Sequence, residues 1–158
     1  MGLKSAFGVA AISLLISTNA LAADPRAAQV SAALPTEVSG YAKSSDDIVD
    51  VSGTPPALTV LRFLAGSVGL AQIQVRVWTV ADTVADAEIM LDPETLRMFE
   101  GKPVEIAGHK GAFVNGVLVV YPGLPTSTVT VSVGGLKDGD VLTGIAEKID
   151  YQALIAIP

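Results

Sequence analysis

The sequence predicts a single α+β domain, a twisted antiparallel sheet of about five or six strands with helices packed on it. Three observations carry this reading. Asn115-Gly116 stands between Ala112-Phe113-Val114 and Val117-Leu118-Val119-Val120-Tyr121, and Asn-Gly supplies the positive φ angles of a type I′ hairpin turn. Thr126 to Val133 then alternates, with Val129, Val131 and Val133 on one face and Thr128, Thr130 and Ser132 on the other. Finally, Val141, Leu142, Ile145, Ala146 and Ile149 recur at helical spacing, which predicts an amphipathic C-terminal helix over Asp138 to Ile149.

Each element has a local cause. Pro122-Gly123 and Leu124-Pro125 stop the strand that ends at Tyr121, because proline has no N–H for a ladder. Val117 to Val120 is apolar on both faces, as suits a strand covered on both sides, and the helix from Asp138 can provide one cover. Asp138 or Asp140 can cap that helix by accepting backbone N–H bonds. On this reading Val119 lies in the core and Thr130 on a wet face.

Upstream, Leu58 to Ala65 and Gln72 to Val80 read as strands joined by Gly66-Ser67-Val68-Gly69. Ile48 to Val51 can add an edge strand. Val80, Val84, Ala87 and Leu91 fall at helical spacing. Asp92-Pro93-Glu94 starts another helix, which Gly101 is expected to end in the left-handed conformation. No internal repeat is visible.

Met1 to Ala22 reads as a secretory signal peptide. Lys4 supplies the positive start, Phe7 to Ile16 is an uncharged apolar run, and Ala20-Leu21-Ala22 is a small-x-small cleavage site. The run is shorter than the roughly 20 residues that span a bilayer, so no stable membrane anchor is expected. Removing 22 residues leaves 136, with nine basic and sixteen acidic side chains and a net charge of −7. That balance disfavours nucleic acid and anionic lipid as partners. The absence of cysteine excludes a disulfide framework, a thiolate metal site and a lipidated cysteine. Residues 23–45 read as a flexible arm, being rich in Ala, Ser and Pro, and residues 46–158 as the domain.

The candidate chemistry is thin. His109 is the sole histidine, so any Ser-His-Asp triad would need it, yet no nucleophile-elbow pattern occurs. Asp82 and Asp86 share a helix face but read as a solvated pair, and Asp46, Asp47 and Asp50 match no EF-hand spacing and read as a solvated loop. Neither a metal nor a cofactor is expected. The one candidate binding pair is Arg76 with Trp78, two residues apart on one strand face, where a guanidinium beside an aromatic ring can hold a carboxylate or a sugar. The alternative is that Trp78 packs under the Val80–Leu91 helix while Arg76 snorkels past it. Tryptophan is usually largely buried, so the packed arrangement is the expected one.

The tail VEIAG, NGVLVVY, TVTVSVGG and GDVLTGIAEKIDYQAL resembles small exported α+β proteins of the Mog1/PsbP-like kind over about the last third of the chain. The resemblance implies accessory or binding roles and carries no catalytic residue with it. The expected function is an exported, soluble, non-enzymatic binding or accessory protein of the bacterial envelope. Its partner would be an envelope protein or a small molecule. A small periplasmic hydrolase or other envelope enzyme, and a secreted surface-interaction protein, are the alternatives. The helix periodicity makes one prediction directly. Ile145→Asp is expected to abolish cooperative unfolding, because burying a large aliphatic side chain contributes about 1.5–3 kcal/mol and a charge there has no partner. Lys148→Asp, on the opposite side of the stripe, is expected to leave the urea midpoint nearly unchanged.

Overall fold

The computed structural model describes residues 24–158, and the expected signal peptide lies outside them. The elements run α1 (Pro25–Ala33), β1 (Glu37–Val38), β2 (Tyr41–Lys43), β3 (Ile48–Ser52), β4 (Ala57–Gly66), β5 (Gly69–Val77), α2 (Val80–Met90), α3 (Pro93–Met98), β6 (Lys102–Ile106), β7 (His109–Val114), β8 (Val117–Tyr121), β9 (Val129–Gly134), α4 (Gly139–Ala146) and α5 (Tyr151–Ile155). The sheet has nine strands, all antiparallel, rather than five or six, while the α+β class stands. Its order is β1-β2-β4-β5-β9-β8-β7-β6, with β3 also paired to β4. The edge strand expected at Ile48 to Val51 is β3, and the additional strands β1, β2 and β6 are short or exposed, so they lack the apolar alternation by which a strand is recognised.

Local signals place several elements where the residues require them. Asn115 and Gly116 both take positive φ, and Val114 pairs with Val117 across the turn. Asp92 caps α3, with its carboxylate accepting from Thr95 N–H at 2.8 Å. Asp138 caps α4, which ends at Ala146, short of Ile149; a second helix, α5, follows under its own cap, Asp150. Glu100, and not Gly101, adopts the left-handed conformation after α3. Gly101 answers a different need, because Leu96 and Val114 close over it and leave no room for a Cβ.

The inner face of the sheet holds the main core. Leu58, Val60 and Leu64 of β4, Ile73, Val75 and Val77 of β5, and Val129, Val131 and Val133 of β9 are buried there under α1, α4 and α5. Ile145, 1% exposed, and Leu142 bring α4 onto it. The outer face is covered only in part. The connection from β5 to β6 crosses this face, and Ala87, Met90 and Leu91 along it pack on Val119 and Tyr121 of β8. Strand β8 is thus covered on both sides, as its sequence predicts, although Val117 at its start is exposed.

Residues 25–33 are not a flexible arm. Asp24 accepts from Arg26 N–H at 3.0 Å, Pro25 occupies the first turn, and Ala27, Val30 and Ala33 are buried against the core. The helix stops at Leu34, which is extended before Pro35, as the residue preceding proline prefers. Two of the three residues on its buried stripe are alanines, which give little apolar signal in a sequence, and the placement against β4 and α5 supplies the burial.

What holds α1 there is Arg62. It projects from β4 onto the inner face between Val60 and Leu64 and is 3% exposed. Its Nε and Nη2 donate to Asp47 at 2.8 and 2.6 Å. Nη2 also donates to Ser31 O at 3.0 Å, and Nη1 to Leu34 O at 2.6 Å and Pro35 O at 3.3 Å. The guanidinium therefore satisfies the Leu34 and Pro35 carbonyls just past the end of α1 and shares Ser31 O with the Leu34 N–H. Asp47, with a side chain 4% exposed, does not belong to a solvated acidic loop. Burial opposes its ionisation, but the bonds from Arg62 and the nearby Lys43 outweigh that and hold its carboxyl below the ordinary value of 3.8.

Asp47→Ala leaves a buried guanidinium without its counter-charge and is expected to cost about 3–5 kcal/mol of a total near 5–15 kcal/mol. Asp46→Ala, at the exposed neighbour, is expected to leave the urea midpoint unchanged. Because the folded value of Asp47 is depressed, its stabilisation is complete above the unfolded value and is lost as pH falls through the folded one. Asp47→Asn is expected to remove that part of the acid sensitivity in a series of urea titrations from neutral pH downward.

Candidate functional site

Strand alternation and register place the candidate residues on the outer face. Arg76 pairs with Thr130 and Gln74 with Ser132 between β5 and β9, and Ser132 pairs with Val119 of β8. Side chains at alternate positions share a face, so Gln74, Arg76, Thr130 and Ser132 form a polar patch beside α2. The patch floors a groove of about 210 Å³ that Trp78 and Tyr121 help to line. A second hollow of about 270 Å³ shares Gln74 and Ser132 and extends the groove toward Val117 and Gly134.

Arg76 and Trp78 are brought together as their spacing implies. The guanidinium carbon lies 4.7 Å from the centroid of the Trp78 ring, within cation–π range. Arg76 is exposed and Trp78 is half-buried. Trp78 Nε1 donates to Thr130 Oγ1 at 3.2 Å, and the backbone N–H of Trp78 donates to Thr128 O at 2.9 Å, so the indole is anchored across β9. Thr130 does not lie on a wet face. It is 7% exposed, and its hydroxyl is the indole's acceptor.

The other candidates are dispersed. Asp82 accepts from Thr79 Oγ1 at 2.6 Å at the start of α2, whereas Asp86 accepts from Tyr121 Oη at 2.6 Å. The two carboxylates thus serve separate partners and form no acid–base pair. Burial raises Tyr121's pKa, and the bond to ionised Asp86 raises it further, so the phenol remains a proton donor. His109 opens β7, its ring tilted against Tyr151 with centroids 5.1 Å apart, and among the described residues it joins no hydrogen-bonded pair with a serine or a carboxylate. Asp50 accepts from Ser52 Oγ at 2.8 Å, and Asp47 is engaged by Arg62. No cluster of three His, Cys, Asp or Glu side chains placed to hold a metal occurs among the described residues, and none of the described helices is long and apolar enough to cross a membrane.

A larger cavity lies elsewhere. It measures about 580 Å³ and sits between α2, the turn joining β6 to β7 and residues 123–125 after β8, and Tyr121 lines both it and the groove. Val84, Leu91 and Leu124 give it apolar walls, while Glu88, Asp92 and Lys110 bring charge to it. None of Glu88, Lys110, Gln74 and Ser132 belongs to a motif, and only the pairing of distant strands and the path of α2 assemble them.

No family model matches this chain, and no curated protein or solved structure does.

The anchored, half-open indole makes a spectroscopic prediction. As Trp78 is the sole tryptophan, native emission is expected between the extremes of a core and a free indole, with acrylamide quenching that rises when Arg76→Ala uncovers the ring. Trp78→Phe leaves the buried Thr130 hydroxyl without its donor and is expected to cost about 1 kcal/mol in urea unfolding.

Proposed function

We propose that this chain is an exported, soluble, non-enzymatic binding or accessory protein of the bacterial envelope, acting in the periplasm of a Gram-negative cell. Its ligand is held on the open sheet face at Arg76 and Trp78. The observation that carries the reading is the exposed guanidinium braced 4.7 Å over an indole that is itself anchored to Thr130. A guanidinium held by its flat face keeps its N–H edges directed outward, and those edges match the two oxygens of a carboxylate. Gln74 and Ser132 add neutral hydrogen-bonding groups alongside, which suit the remaining oxygens of an organic acid or a sugar.

Export is supported by the residues at the start of the chain: Lys4, the apolar run Phe7 to Ile16, and Ala20-Leu21-Ala22. The resemblance of the tail to Mog1/PsbP-like proteins points to the same accessory role. The separation of Asp82 from Asp86, and the packing of His109 on Tyr151, favour binding over hydrolysis.

Expressed in a Gram-negative host, the protein is expected in osmotic-shock fluid with its N terminus shortened. Trp78 emission of that material is then titrated with succinate, citrate and N-acetylglucosamine. A saturable change with at least one of them, abolished by Arg76→Met at an unchanged melting temperature, is the expected result. Full-length chain retained in the cytoplasm refutes export. Flat emission with every compound to millimolar concentration, or a change that survives Arg76→Met, refutes the site.

A further inference from the structure

The cavity between α2 and the β6–β7 turn differs in chemistry from the groove, and its residues identify a class of ligand independently of Arg76 and Trp78. Its volume of about 580 Å³ falls within the roughly 300–1,000 Å³ of small-molecule sites. Val84, Ala87, Leu91 and Leu124 line it, which is enough apolar surface to take an aliphatic or aromatic side chain. Tyr121 lines it too, with its hydroxyl already committed to Asp86.

Charge of both signs meets this apolar space from different elements. Glu88 comes from α2 and Asp92 from the junction with α3, while Lys110 comes from β7. Lys110 stands in register between Glu105 of β6 and Tyr121 of β8. Neither Glu88 nor Lys110 enters an ion pair among the described residues. Asp92 accepts from Thr95 N–H at the cap of α3, so its charge is shared with that helix start, and Glu88 is the acidic group on this wall without such a partner. Unneutralised opposite charges around one apolar hollow suit a molecule that carries both charges and an apolar body between or beside them.

We infer that this cavity binds a short zwitterionic peptide with apolar side chains, its carboxylate at Lys110, its ammonium at Glu88 and Asp92, and its side chains against Val84, Leu91 and Leu124. A single charged amphiphile would leave one wall's charge facing apolar ligand. A zwitterion satisfies both walls. The volume accommodates a dipeptide.

The test is isothermal titration of the protein with Leu-Leu, N-acetyl-Leu-Leu and Leu-Leu-amide, on the parent chain and on Lys110→Met, Glu88→Gln and Arg76→Met. Leu-Leu is expected to bind with one site. Blocking its amine or its carboxylate is expected to weaken binding about tenfold or more, as loss of a hydrogen bond to a charged group does. Lys110→Met and Glu88→Gln, both at exposed positions, are expected to weaken Leu-Leu to a similar extent with unchanged melting temperatures. Arg76→Met is expected to leave Leu-Leu binding intact, which separates this site from the groove. No saturable heat with Leu-Leu to millimolar concentration, equal affinity for the blocked peptides, or loss of binding only in Arg76→Met would each overturn the assignment.

Discussion

The structure depends on one charged side chain placed where an aliphatic one would ordinarily stand. Inward-facing positions of β4 run Leu58, Val60, Arg62 and Leu64, and the third is a guanidinium whose N–H groups reach Asp47 and three carbonyls around the end of α1. Burying such a charge is favourable only when nearly every donor is matched, and here the match spans three segments that are far apart in the chain. The bonded set ties the end of α1 to this place on the sheet. From α1 the constraint passes on, because Ala33 O accepts from Asp150 N–H at 2.9 Å and so fixes the start of α5. Tyr151, the first residue of α5, donates from its hydroxyl to Ala146 O at 2.9 Å and joins α5 to α4. The whole inner helical layer is thus linked to β4 through Arg62.

That arrangement divides the work between the faces of the sheet. The inner face buries a continuous aliphatic core, which leaves the outer face free of the need to be sealed. Outside, α2 crosses over β8 and meets only a small cluster around Val119 and Tyr121. The Tyr121–Asp86 bond lies in the wall of the polar groove, and Tyr121 also borders the larger cavity. Tyr121 is common to the linings of both hollows, while Asp86 belongs to the groove.

Features whose causes lie within a few residues were legible without the fold. Asn115-Gly116 requires a tight hairpin, Val129, Val131 and Val133 must share a face, Pro93 after Asp92 starts a helix, and Ile145 belongs to an apolar stripe. The same reasoning put Arg76 and Trp78 side by side, since alternation on a strand is local.

Features whose causes lie between distant residues were decided by the tertiary structure alone. The strand number came out at nine partly because Tyr41–Lys43 pairs with the distant β4, and the short β1 then pairs with it across the Ser39-Gly40 turn, while α1 gains burial from β4 and α5. Asp47 looks like its solvated neighbours until Arg62, fifteen residues on, takes both its oxygens. Thr130 looks wet until the Trp78 indole lies over it. Whether Trp78 is sealed or half-open depends on how closely α2, which begins at Val80, lies over the sheet. By itself the sequence determined local conformation and the sharing of faces, which follow from φ, ψ and side-chain alternation. The tertiary structure decided burial, charge pairing and the positions of both hollows, because each is a property of surfaces that meet only when the chain is folded.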